Sequence, residues 1–240
     1  MTRLVGAELL KLTTTRTFWG MAAAAVGLVL LIVVLSVALD TDPTEDNVRT
    51  IMATAGFSGV LTLVLGGVVG AGDYRHGTIA WTLLITPNRL RATAGQFVAC
   101  GVAGLAIGAA AYALAAVIAL PWLAGKDASF PPARDLLEVF LGCVLYAGLA
   151  AMLGAGLGAL LRNQVAAIVV VLVQIFVVDP SLAGLVPDIA PFTLTGLGAA
   201  MSGVDSDGDL LPAGVAALVW AGYAVLLAVL AAIHTARRDI

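Results

Sequence analysis

Apolar residues fall in long, nearly uninterrupted runs along the chain, at about 17 to 39, 51 to 72, 97 to 120, 136 to 161, 165 to 186 and 213 to 235. Each run meets the roughly 20 helical residues needed to cross the hydrocarbon core of a bilayer. Polar breaks sit where six crossings need them: the acidic stretch 40–47, and a fifth connection carrying Pro187, Pro191, Asp205, Asp207, Asp209 and Pro212. These are poor material for a helix interior. The pattern predicts an all-α membrane protein with six transmembrane helices and both termini on one side.

Composition sharpens this. Of 240 residues 61% are hydrophobic and 11% charged, with a mean hydropathy of +1.05. Six spans use up the length, so residues 1–240 read as a single transmembrane domain with no soluble catalytic unit. The first run is longer than a signal-peptide core and no A-x-A site follows, so it is expected to remain in the mature protein. Positive residues are retained on the cytoplasmic side. Arg3, Lys11, Arg16, Arg75, Arg89, Arg91, Arg162, Arg237 and Arg238 fall on one side, against Arg49, Lys126 and Arg134 on the other. The N- and C-termini are therefore expected in the cytoplasm of a multi-pass protein of the cell (plasma) membrane, with an acidic outer face. A net charge of −3 with no concentrated basic face argues against nucleic acid as a partner.

Several chemistries are considered and set aside. No GxxxxGK[ST] loop is present: Gly125-Lys126 is followed by Asp127, so the chain lacks the standard means of holding a nucleotide. Residues 56–59 read G-F-S-G, as around an intramembrane protease serine, but Ser58 lies near the outer end of span 2 while His76 and His234 lie at inner ends, a depth gap of about 20 Å. Asp205 to Asp209 has neither the glycine nor the twelfth-position carboxylate of a calcium loop. Cys100 and Cys143 lie inside apolar runs and read as small buried hydrophobes. No catalytic residue, metal site or cofactor is expected. Carboxylates near the bilayer midplane, the mark of ion-coupled carriers, are nearly absent, so the driving force must be borrowed. Gln174 is the strongly polar residue deep within a span, placed to bond a neighbouring helix or to touch a substrate. Small-xxx-small pairs Gly66/Gly70, Gly104/Gly108 and Gly154/Gly158 suit close helix approach, within the chain or at a dimer seam.

Two segments carry more signal. Residues 2 to 14 are amphipathic, with Val5, Leu9 and Leu12 on one stripe and Arg3, Glu8 and Lys11 toward the other; Glu8 and Lys11 stand at pairing distance, and Leu4 and Leu10 blur the pattern. Such a helix suits the inner membrane interface. Between spans 2 and 3, Thr78 can cap a short helix ended by Pro87, flanked by Arg75, Arg89 and Arg91 and carrying Trp81. That surface suits a docking partner or an anchor in the headgroups.

The segment A-E-L-L-K-L at 7–12 with T-T-T-R at 13–16, then Asp73-Tyr74-Arg75-His76-Gly77-Thr78 with Leu83, Leu84, Pro87 and Arg89, resembles the membrane subunits of type-2 ATP-binding-cassette (ABC) transporters. In that family Asp73 is more often glutamate, and a lysine commonly opens span 3 where this chain has Gln96. The resemblance implies a permease working as a dimer with a second copy or a related chain. It implies separately encoded ABC ATPase subunits on the cytoplasmic face, an N-terminal interfacial helix, and a coupling helix formed around Asp73, Tyr74, Arg75, His76, Gly77, Thr78, Trp81 and Arg89. The outer loop after span 5 would partly fold back into the membrane. ATP-driven export is the function implied; an assembly scaffold without transport activity and an ion-coupled carrier are the alternatives. Spans 2 and 5 would face the substrate path between copies, with Thr54, Ser58 and Thr62 as one polar stripe at i, i+4, i+8 and Gln174 opposite.

Overall fold

The structure is a computed structural model, and it describes residues 2–39, 44–75, 89–204 and 210–237. Every regular element among these is helical. Helix α1 (Thr2–Thr13) precedes α2 (Arg16–Leu39), the first span. The second span is α3 (Glu45–Ala53), one 3-10 turn (Thr54–Gly56) and α4 (Phe57–Arg75). Then come α5 (Arg89–Ala124) and α6 (Ala133–Leu161). The fifth span is α7 (Gln164–Val173), a π-turn (Gln174–Val178) and α8 (Asp179–Leu185). A 3-10 segment (Pro187–Phe192) and α9 (Leu194–Ser202) lead to α10 (Ala213–Arg237). Six of these stretches are long and apolar enough to cross a membrane, so the chain is an all-α, six-helix membrane protein.

The predicted spans and the observed ones coincide to within a few residues except at two starts: span 2 opens at Glu45 rather than 51, and span 3 at Arg91 rather than 97. Glu45 and Asp46 stand in the first turn, where the helix dipole favours acids. Beyond them Val48, Ile51 and Met52 turn inward into the core. An amphipathic first turn of this kind lies below the threshold of a hydropathy window.

Spans 2 and 4 form the axis. Without a hydrophobic force between helices in lipid, backbone approach supplies the packing energy. A Cβ on Gly66 or Gly70 would run into the carbonyl oxygen of Ala151 or Ala155, and one on Gly154 or Gly158 into that of Leu63 or Gly67. A Cβ on Gly104 would likewise meet the Ala147 carbonyl of α6, and one on Gly108 the Ala147 methyl. All three small-residue pairs are thus spent within the chain. Spans 1, 5 and 6 wrap this axis and each leaves a wide apolar face outward, including Leu31, Leu35, Val169, Val173, Leu218 and Val225.

Span 5 is interrupted at its π-turn, where the Asp179 amide donates to the Gln174 carbonyl. Pro180 accounts for the break: it has no N–H, and its ring would strike the carbonyl four residues earlier. Beyond it the chain returns. Thr193 caps α9 by accepting from the Gly196 amide at 3.0 Å, and Leu197, Gly198, Ala200, Met201 and Ser202 are buried. Gly142, where a Cβ would strike the Met201 carbonyl, stands nine residues into α6, about 13 Å from its start. The segment that the residues marked as a polar connection therefore folds back between spans 2 and 4, as the resemblance implied. Its apolar run with glycines at 196 and 198 permits this close seat, with Gly198 and Gly59 both against the Tyr146 ring.

Candidate functional site

Polar side chains converge where span 2 ends and the 76–88 loop begins. Helix α1 frames one side. Its stripe of Val5, Leu9 and Leu12 packs onto the bundle beside Phe97 and Cys100, and Leu4 covers Gly95. Leu10, which blurred the stripe, is 65% exposed with Arg3 on the outward side. The end of α1 caps itself. The Thr13 hydroxyl donates to the Leu9 and Leu10 carbonyls at 3.1 Å, Thr14 to Lys11 at 3.0 Å and Thr15 to Leu12 at 2.8 Å. Trp19 Nε1 adds a bond to the Thr13 carbonyl at 2.7 Å. Last-turn carbonyls of a helix otherwise need water; here side chains meet them.

On this frame Lys11 Nζ forms ion pairs with Asp73 and, at 3.4 Å, with Glu8. Gln96 Nε2 donates to the other Asp73 oxygen at 3.1 Å and to the Val69 carbonyl at 3.4 Å. Asp73 is 7% exposed. One carboxylate thus ties the last turns of α4 to α1 and to the early turns of α5. Asp73 stands two residues before the end of α4 and Gln96 seven residues after the start of α5, so the two helix ends that flank residues 76–88 are tied at one point. Burial by itself disfavours the Lys11 charge, but the hydrogen bond and charge of Asp73, with Glu8 behind, outweigh it and raise its pKa above the ordinary lysine value.

The next two residues face another way. Arg75 Nη1 donates to Gln164 Oε1 at 2.5 Å, and Tyr74 lies under the Arg162 guanidinium, 4.8 Å from ring centroid to Cζ. Arg162 ends α6 in the left-handed conformation, φ 53°, and Asn163 caps α7 by accepting from the Val165 and Ala166 amides at 3.0 and 3.1 Å. Asp73, Tyr74 and Arg75 therefore reach α1, α5 and the 4–5 turn in three successive residues. His76, Gly77, Thr78 and Trp81, and the expected helix between spans 2 and 3, lie outside the described residues; Arg89 is the first residue of α5.

The polar stripe of span 2 is turned inward. Thr54 Oγ1 donates to the Ile51 carbonyl at 2.6 Å. Ser58 is fully buried with its hydroxyl unmatched. Thr62 donates to Gly59 at 3.0 Å and across to Ala147 of α6 at 2.9 Å. In this conformation Ser58 and Thr62 are sealed inside one chain, and a path along them would require spans 2 and 4 to part. Gln174 bonds neither a neighbouring span nor open space: its Nε2 donates to Asp179 Oδ1 at 2.7 Å, five residues on, a pairing the π-turn makes possible. The other Asp179 oxygen accepts from the Thr195 amide at 2.8 Å. The sequence places this carboxylate only as the residue before Pro180 toward the outer end of span 5; it is 1% exposed and holds the first turn of α9, and the one hint was a glutamine five residues ahead of an Asp-Pro break.

No protein-family model matches the chain, and a search of the curated proteins finds no relative. Function is therefore argued from geometry. The clustered groups at the loop stem are an ammonium, two carboxylates and an amide that saturate one another. Nothing among them is left as a poised nucleophile with its base. The arrangement ties α1, α4 and α5 to one another.

Proposed function

We propose that the chain is the membrane-spanning subunit of an ATP-driven exporter of the type-2 ABC class, working as a dimer in the plasma membrane with separate ATPase subunits at the cytoplasmic loop 76–88. One observation carries the reading: Asp73, at the root of that loop, is held by Lys11 and Gln96 together. A buried ion pair is weak evidence for stability, since apolar packing of the same volume does as well or better; its best-attested use is to fix geometry. Here the geometry fixed is the pair of loop stems, so a push on the loop is delivered to α1, α5 and the 4–5 turn at once. The positive bias of this end of the bundle and the return of α9 between spans 2 and 4 fit the same reading.

The test is reconstitution with an ABC ATPase encoded alongside it. The pair should co-purify and show nucleotide-dependent export. Gly77→Pro and Arg89→Glu should each weaken ATPase association or stimulation while leaving the chain in the membrane. Full association and transport in both variants, or no ATPase partner for the intact chain, would sink the proposal.

A further inference from the structure

The 4–5 turn holds an arginine that the chain does not complete. Arg162 Nε and Nη2 are covered and meet no hydrogen-bond acceptor, although its guanidinium lies on Tyr74. An unmet charged donor of this kind is costly. The backbone adds a second oddity. At φ 53° Arg162 occupies the left-handed cap position where glycine is the inexpensive choice, so the turn itself gives no reason for a long cationic side chain. Arg75 stands beside it, its Nη1 on the neutral Gln164 amide, and among the described residues neither arginine is in an ion pair.

Sequence makes the region more one-sided still. No Asp or Glu occurs from Tyr74 to Lys126, or between Glu138 and Asp179; the acids of α6 lie at its far end, and the acid nearest in sequence to Arg75, Asp73, is held by Lys11 and Gln96. Directly along the chain from Arg162 the surface turns to hydrocarbon. Leu161 is exposed, and Val165, Val169 and Val173 at i, i+4, i+8 form an exposed apolar stripe about 12 Å long on α7. Cationic groups at the end of a span above an uncovered apolar stripe match a molecule with an anionic head and an acyl tail better than they match a carboxylate on a soluble partner.

We propose that Arg162, with Arg75 beside it, binds the phosphate of an anionic membrane lipid whose acyl chain lies along the Val165–Val169–Val173 stripe. Guanidinium suits phosphate because two parallel N–H bonds reach two oxygens; the covered Nε and Nη2 of Arg162 reach it through a change of rotamer that turns them from the protein toward the bilayer, and juxtamembrane arginines favour anionic lipid. The inference stands apart from any ATPase partner and is read on the isolated chain.

Native mass spectrometry of the detergent-purified full chain, titrated with phosphatidylglycerol or phosphatidylcholine, tests it. The intact chain should retain phosphatidylglycerol preferentially. Arg162→Gln and Arg75→Gln should each lower that preference roughly five-fold, and the double variant should abolish it. Arg162→Gly, which relieves the backbone, should hold or raise thermal stability and still lose the preference; it keeps the test valid where the glutamine variant folds poorly. Arg3→Gln, on the outward side of α1, should leave it unchanged. Preference surviving in the double variant, or falling as much in Arg3→Gln, overturns the site in favour of diffuse charge attraction. Loss of the preference to excess inorganic phosphate overturns the lipid assignment in favour of a free anion.

Discussion

Removing the Lys11 charge should release helix α1 from the bundle, and the size of the effect follows from the cluster. In Lys11→Met the Asp73 carboxylate, 7% exposed, keeps the Gln96 amide but loses its counter-charge. Breaking a dry ion pair by deleting one partner costs about 3–5 kcal/mol. The Lys11 side chain is 39% exposed, so water already screens the pair, and the discounted cost is about 1–2 kcal/mol. That shifts the ratio of docked to undocked α1 by about 5- to 30-fold. A cysteine at Leu12, buried under α1, reports the undocked fraction through its maleimide labelling rate in a background lacking Cys100 and Cys143. The rate should rise by that factor in Lys11→Met and fall back when Asp73→Asn removes the stranded charge. An unchanged rate in Lys11→Met, or no recovery in the double variant, would refute the reasoning.

Four further outcomes are expected. Because the folded Lys11 pKa is raised, its contribution to docking is fully present below the unfolded value near 10.4 and is lost as pH climbs through the folded one; a spin label at Ala7 should keep constant mobility from neutral pH to about 10 and loosen only above it. Gly66→Leu should lower stability in detergent by at least about 1–3 kcal/mol because the new side chain meets the Ala151 backbone, whereas Gly72→Ala on the same helix, with nothing within 4 Å, should be silent in the same melting assay. Asp179→Leu strands the Thr195 amide and should cost about 1–3 kcal/mol, with Asp179→Asn costing less; protease access to the segment after Leu185 measures the loosening. Single cysteines at Asn88 and Ser206 should label from opposite sides of intact cells with an impermeant maleimide, Ser206 from outside.

How much of this was legible in the sequence depends on the range of the interaction. Spans were legible because twenty apolar residues in a row leave one cheap solution. The glycine pairs were legible as close-approach positions, yet their partners were not: nothing in Gly66 or Gly154 names the facing helix, and the choice between an intrachain seam and a dimer seam is settled only by the packing of spans 2 and 4. Glu8 and Lys11 read as a local pair, three residues apart, and they are one. The decisive partner, Asp73, lies 62 residues away, and Gln96 another 23 beyond it; side chains at such separations meet through tertiary folding alone. Helix α9 was hidden from the hydropathy pattern for a different reason, although the resemblance implied that this loop folds back. Pro187, Pro191 and the aspartates from 205 dominate the connection, and the nine residues between Thr193 and Gly203 are too short for a hydropathy window to register.

The two buried carboxylates occupy equivalent mechanical positions at opposite ends of the bundle. Asp73 holds the N-terminal helix through Lys11, and Asp179 holds the returning helix α9 through the Thr195 amide. Each secures a short element that hydrophobic burial alone secures weakly, because a short helix has little apolar surface to offer. Between them the α4–α6 seam runs backbone against backbone, with glycine at each crossing, and a seam so close resists being compressed or sheared by small amounts. A displacement imposed at Asp73 is then carried along α4 with little loss, past Ala151 and Ala147 to Gly59, where the Tyr146 ring contacts both span 2 and Gly198 of α9. In the proposed exporter this gives the end at Asp73 a rigid connection to the opposite end, and movement between the two would be taken up where the helices depart from α geometry, at Thr54–Gly56 and Gln174–Val178.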